Sequence, residues 1–257
     1  MIEKNLIIAL CVRDCSSYLD EVVSNAESIG SLFKKYIIVF VESDSSDSTL
    51  EKIKSYDKAV VISHGDLIKQ YPSRTDRIAY CRNSYLDFAE DMKDEYDYLL
   101  VLDGDSASTE QISKESVLSN FNRDDWDMVV ANQPEGYYDI WALRHENLMP
   151  FDCWKEFNKY GTRDAFEYFI TSRFLKIGLE EDWIPVESAF GGAGFIKISS
   201  IQGARHIGHT DDGIPVCEWV PFCESLNLGN AKIFINPKFI NSTILSEHIE
   251  ANLRVLG

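Results

Sequence analysis

Basic residues are scarce in this chain: 25 Lys and Arg stand against 42 Asp and Glu, a formal net charge of −17 over 257 residues. A surface of that sign repels polyanions, which argues against DNA or RNA held by counterion release. A nucleoside diphosphate bound by such a chain needs a local remedy, either a divalent cation or a few placed arginines. Long apolar runs are missing too, and nothing approaches the roughly 20 residues of a membrane-spanning helix. The first apolar run, Leu6 to Val12, is short for a signal peptide and passes straight into Arg13-Asp14 without a small-residue cleavage site. Cys11, Cys15, Cys81, Cys153, Cys217 and Cys223 form no C-x-x-C pair and no zinc-type spacing with histidine. A reduced, cytoplasmic chain is expected, and the sequon Asn241-Ser242-Thr243 reads as a chance match. Low-complexity tracts, Pro- or Gly/Ser-rich linkers and internal repeats are absent, so residues 1–257 read as one domain.

Hydrophobic residues make up 45% of the chain, enough for a substantial core. Leu6 to Val12 reads as a strand buried on both faces, and the apolar spacing from Ser17 to Phe33 predicts a helix. Tyr36 to Val41 gives a second strand and Leu50 to Ser55 a short helix. Ala59 to Ile62 gives a third strand, Asp76 to Met92 a long helix, and Tyr98 to Leu102 a fourth strand. This alternation implies a parallel sheet with right-handed crossovers, whose ligands gather at the carboxyl ends of the strands. After Asp105 the rhythm changes. A strand at Met128 to Ala131, a Trp/Tyr-rich stretch, a helix at about 164–177, a glycine cluster and a strand at Ala231 to Ile235 follow. The chain thus divides into halves, 1–106 and 107–257, without a linker between them.

Asp103-Gly104-Asp105 closes the fourth strand. Carboxylates one residue apart can face a hard divalent cation, Mn²⁺ or Mg²⁺, that also takes diphosphate oxygens. A plain turn of Asp, Gly and Ser is the structural alternative. Glu42 and Asp44 lie at the end of the second strand, where a carboxylate can accept hydrogen bonds from a ribose or a base, while Asp47 or Ser48 caps the next helix. Arg74, Arg77 and Arg82, with Asn83, make the one concentrated basic feature before the acidic pair, and guanidinium forks suit a diphosphate. A solvated helix face paired with Asp76 or Asp87 is the alternative there.

In the second half, Gly191 and Gly192 sit in Phe190-Gly191-Gly192-Ala193-Gly194, where missing side chains let backbone approach a ligand or merely form a tight turn. Tyr137, Tyr138, Trp141, Trp154 and Trp219 are candidates to stack on sugar faces, though aromatics more often fill cores. Arg144 is a candidate for acceptor or diphosphate. Glu218, flanked by aromatics, is the candidate general base, with Asp139, Glu187, Asp211 and Asp212 as rivals. His206 and His209 are three apart and could include a metal ligand, but read more simply as surface or core histidines.

The strand ending Leu10-Cys11-Val12-Arg13-Asp14, the loop Glu42 to Thr49, the helix segment Arg77 to Asn83 and Val101-Leu102-Asp103-Gly104-Asp105-Ser106 together resemble the nucleotide-binding half of GT-A glycosyltransferases. With Tyr138 to Arg144, Phe190 to Gly194, Cys217 to Cys223 and Lys232 to Pro237 behind them, the order is similar to fungal capsule-associated mannosyltransferase-like proteins and to glycosyltransferases of large DNA viruses. The resemblance spans about residues 5–240. It implies an α/β, Rossmann-like GT-A fold with a mostly parallel central sheet flanked by helices. It also implies transfer of a hexosyl or pentosyl group from a UDP- or GDP-sugar to a glycan acceptor, with Asp103 and Asp105 on Mn²⁺ or Mg²⁺. Glu42, Asp44, Arg77, Arg82, Asp103, Gly104, Gly191 and Gly192 are the expected donor contacts. Two other readings stay open: a haloacid-dehalogenase-type phosphatase with Asp103 as nucleophile, although three strands precede its motif, and a domain that binds a nucleotide sugar or glycan without turnover.

Overall fold

A computed structural model describes residues 1–105 and 108–243, so Ser106 lies outside the described residues. The continuous apolar run at the N-terminus becomes β1 (Ile2–Val12), whose Leu6 to Leu10 are fully buried. It is unbroken because β1 is interior to the sheet: β2 (Phe33–Glu42) and β4 (Tyr98–Asp103) pair with it in parallel on its two sides. Each such Leu or Ile contributes about 1.5–3 kcal/mol by leaving water. β3 (Ala59–Ser63) adds to the far side of β2. Three helices make the connections: α1 (Leu19–Gly30), the short α2 (Thr49–Ile53) and α3 (Arg74–Asp91).

The second half contributes α4 (Lys114–Ser119), β5 (Met128–Asn132), α5 (Cys153–Tyr160), α6 (Arg163–Phe169), β6 (Ile184–Pro185), β7 (Ala193–Lys197), α7 (Ile198–Ile201), α8 (Trp219–Leu228) and β8 (Ile233–Ile240). The eight strands form one sheet in the order β3-β2-β1-β4-β7-β5-β8-β6. β7 runs antiparallel between β4 and β5, with Leu102 opposite Ala193, so the halves share one sheet and one pair of packed faces. This is the mostly parallel, helix-flanked single α/β domain that the sequence implies. Among the described residues no helix is long and apolar enough to cross a membrane.

The parallel strands β1, β2 and β4 end together, with Cys11 opposite both Val41 and Asp103 and Val12 opposite Glu42. The polar loops after these strands therefore converge at one end of the sheet. Their separation is fixed by buried polar bonds. Asn25 of α1 donates to the carbonyls of Ser108 and Glu110 and accepts from the Ile112 amide, which holds the chain that leaves Asp105.

Candidate active site

Asp103 is the last residue of β4, and its amide donates to the Gly192 carbonyl at 2.9 Å. Gly104 follows because the chain passes close to β1: a Cβ there would lie 2.3 Å from the Cys11 carbonyl oxygen. Asp103, Gly104 and Asp105 thereby face a cavity of about 600 Å³. Burial and the neighbouring Asp105 carboxylate push the Asp103 carboxyl up to about 7, against the opposing pull of Arg82. A buried carboxylate that resists being charged beside a second one suits a divalent cation. Among the described residues no group of three or more His, Cys, Asp or Glu could hold a metal. Asp103 and Asp105 could offer only a pair of hard oxygen ligands, of the kind Mn²⁺ or Mg²⁺ takes when its other ligands come from elsewhere.

Asp139 and Glu218 line the same cavity. Asp139 accepts from the Gly191 amide at 3.0 Å and the Ala142 amide at 3.4 Å, yet burial still raises its carboxyl above the usual range. Glu218, 5% exposed, is the residue before α8. Its Oε1 accepts from Arg82 Nε at 2.9 Å, while Arg82 Nη2 donates to Asp103 Oδ1 at 3.2 Å. Arg82 is 4% exposed and spends its fork on carboxylates of its own chain.

This reassigns the arginines of α3. Arg77 donates to the carbonyls of Tyr71 and Pro72 and does not line the cavity, because it bonds the turn that leads into the helix. Arg74, one turn earlier, does line the cavity, has no side-chain partner among the described residues, and is joined there by Arg13. Arg13 was visible in the sequence only as a strand exit. Its signal was its place at the carboxyl end of an interior strand.

Glu42 and Asp44 line a second pocket of about 400 Å³. Both Glu42 oxygens are taken, by the Ser45 amide at 3.0 Å and the Ser63 hydroxyl at 2.6 Å. Asp44, with φ +58°, accepts from the Ile68 amide through Oδ1, while its buried Oδ2 has no donor. The rest of the acidic loop is bracing. Asp14 accepts from the Ser46 amide, Asp47 accepts from Ser16 and the Thr49 amide, and Ser48 makes no side-chain cap, so Asp47 fills the capping role.

Gly191 and Gly192 adopt φ of +68° and +83°, but neither lines the cavity. A Cβ at Gly191 would meet the Ala131 carbonyl at 2.8 Å, and one at Gly192 the Tyr138 hydroxyl at 2.6 Å. The space they leave is taken by the protein itself. Tyr138, Trp141, Trp154 and Trp219 line the cavity, whereas Tyr137 is fully buried in the core. Arg144 pairs with Asp152 at 3.0 Å and donates to the Trp141 and Leu143 carbonyls, a brace rather than a cavity group. Glu187, Asp211 and Asp212 are exposed and away from the cavity. His206 is stacked on Phe222 and held well below its usual pKa by burial, and His209 pairs with Asp76. Neither histidine lines the cavity, although His206 packs behind its wall against Trp219 and the Glu218 carbonyl. Asn241 is 5% exposed and bonded to Gly191 and Gln133, so its amide is closed to glycosylation in the folded protein.

No protein-family model matches the chain, and no curated protein matches it. Solved structures do. The mannosyltransferase PcManGT from Pyrobaculum calidifontis, solved with GDP-Man and Mn²⁺, superposes with a TM-score of 0.55 at 10% identity, over 93% of this chain and 56% of that one. S. aureus TarS 1–349 gives 0.48 at 13% identity, over 98% and 64%. The glucosyl-3-phosphoglycerate synthase of Mycobacterium tuberculosis gives 0.46 at 10% identity, over 92% and 68%. The fold is that of GT-A glycosyltransferases, and this chain spans little more than half the length of the mannosyltransferase.

Proposed function

We propose that this protein is a metal-assisted glycosyltransferase that moves a hexosyl or pentosyl group from a UDP- or GDP-sugar to a carbohydrate acceptor. The observation that carries the reading is the gathering of Asp103, Asp105 and Glu218 around one cavity at the carboxyl end of the parallel strands. Motif order along the chain supports the same family likeness to the fungal capsule-associated and large-virus enzymes. Asp103 and Asp105 hold Mn²⁺ or Mg²⁺, which when bound neutralises the departing diphosphate. Arg74 and Arg13 supply the fixed positive charge beside it. Asp44 Oδ2 is the free acceptor for a base N–H, a need that uracil and guanine both meet. Glu42 acts by shaping that pocket, since its own oxygens are occupied.

Glu218 takes the acceptor hydroxyl proton as the sugar transfers, and the aromatic residues Trp141, Trp154 and Trp219 give the sugar rings apolar faces. Asp139 is the second candidate base, favoured by the burial that raises its carboxyl. Calorimetry with UDP, GDP and their sugars, with and without Mn²⁺, tests the reading on wild type and Asp103→Ala/Asp105→Ala. One nucleotide family should bind in a metal-dependent manner, with affinity reduced about 100-fold in the double variant, the order expected for losing two charged ligands. Binding indifferent to metal and to both aspartates overturns it.

A further inference from the structure

We infer that Arg82 is the positioning residue of this site: its guanidinium acts by holding the Asp103 and Glu218 carboxylates in fixed relation beside the cavity, not as a ligand of the donor. The inference rests on the glycosyl-transfer reading for what the two carboxylates do, and on geometry for how they are held. Arg82 projects from α3 with three directions of its fork committed to three side chains. Nε reaches Glu218 at 2.9 Å, Nη2 reaches Asp103 at 3.2 Å, and Nη1 reaches the Tyr85 hydroxyl at 3.3 Å. Its guanidinium carbon lies 4.8 Å from the Trp219 ring centre and 5.0 Å from that of Phe190. Those two rings stack on each other at 4.0 Å and 16°, so the fork is braced against a rigid apolar wall.

The carboxylates it joins come from opposite halves of the chain, one at the end of β4 and one at the start of α8. No other cation bridges both among the described residues. A diphosphate ligand needs N–H groups presented to the cavity; Arg74 has its whole fork open there, whereas Arg82, which also lines the cavity, has all three of its nitrogens engaged by side chains of its own chain. A lysine in place of Arg82 would supply the charge but not the fork, reaching one carboxylate at a time.

The test uses the full chain with Arg82→Lys and Arg82→Met. Three quantities are read: thermal unfolding, the affinity for UDP and GDP with Mn²⁺ by calorimetry, and single-turnover hydrolysis of whichever sugar nucleotide the wild type binds. Nucleoside diphosphate affinity should stay within about 3-fold of wild type while hydrolysis falls about 100-fold in both variants, the scale set by small misplacement of reacting groups. Affinity weaker by 10-fold or more at unchanged turnover would make Arg82 a donor ligand and overturn the inference. Turnover restored by lysine would overturn it as well, leaving charge compensation alone. A second arm is independent of turnover and of variant folding: in ¹⁵N spectra of the wild type, the Arg82 Nε–H should exchange slowly with water. Exchange as fast as that of exposed arginines refutes the clamp. A wild type that passes this arm but binds no nucleotide refutes the glycosyl-transfer reading instead.

Discussion

Asp103 carries opposing demands under the proposed function: it would accept a cation, yet without one it sits beside Asp105 and partly out of water. Its carboxyl is consequently raised from 3.8 to about 7 in the folded protein. The native state therefore binds more protons than the unfolded chain between those values, so this group's contribution to stability falls as pH rises from about 4 to about 7. Asp103→Asn removes the liability while keeping an oxygen for Arg82. In metal-free protein the variant should be more stable than wild type at pH 8, by on the order of 1–3 kcal/mol, and the gain should vanish near pH 4. Urea unfolding in EDTA at the two pH values measures it, and an equal difference at both would show that the Asp103 carboxyl is not raised. Mn²⁺ affinity of the wild type should climb across the same window, because metal must displace that proton. At this scale the sequence located the acidic pair at the end of an interior strand, and the structure sets both aspartates on the cavity. The sequence misled on arginines: its spacing gives a helix face, but not which fork is already spent, and Arg77 and Arg82 proved to be committed while Arg74 was open.

Elements were legible in proportion to how completely they are buried. β1 and β4 announce themselves as unbroken apolar runs, because parallel strands covered on both faces have no polar side to show, and the β-branched runs of β2 and the edge strand β3 read as strands too. β7 was hidden because Ala193-Gly194-Phe195-Ile196 follows two glycines and reads as their turn, although it is the strand that sews the halves together. α8 was hidden by Pro221, which falls in its first turn, where no backbone donor is lost from the helix. The helix expected at about 164–177 is broken: α6 ends at Phe169 and a 3-10 turn, Thr171–Arg173, follows. Gly192 shows how an element boundary becomes part of the site. Its φ of +83° lets its carbonyl take the Asp103 amide, with the Tyr138 hydroxyl filling the space over it. Gly192→Ala should lower the melting temperature by about 4–10 °C, combining left-handed strain with a clash. Gly203→Ala, at φ +80° with nothing within 4 Å, carries the strain alone and should cost less than half as much. Equal losses in the two variants would mean that Tyr138 yields and the packing at Gly192 is slack.

At the scale of the molecule, the balance between distant and local charge decides how a donor arrives. The protein carries −17, and on the proposed reading a nucleoside diphosphate would be repelled by that field until it reached the cavity, where Arg13, Arg74 and a bound metal would oppose it. The Debye length is about 30 Å at 0.01 M and about 10 Å at 0.1 M salt. Added salt therefore screens the far acidic surface before it screens groups a few ångströms from the bound phosphates. The association rate for a nucleoside diphosphate with Mn²⁺ present should rise about 2- to 5-fold between 0.01 and 0.1 M salt, opposite to the fall seen when a basic surface steers an anion. Stopped-flow fluorescence of the cavity tryptophans Trp141, Trp154 and Trp219 reads the rate directly. A rate that falls over this range would show that Arg13 and Arg74 dominate the approach path as well as the site. In that case the acidic surface would be shielded from the entrance, and net charge, the property most plainly written in the sequence, would say nothing about capture.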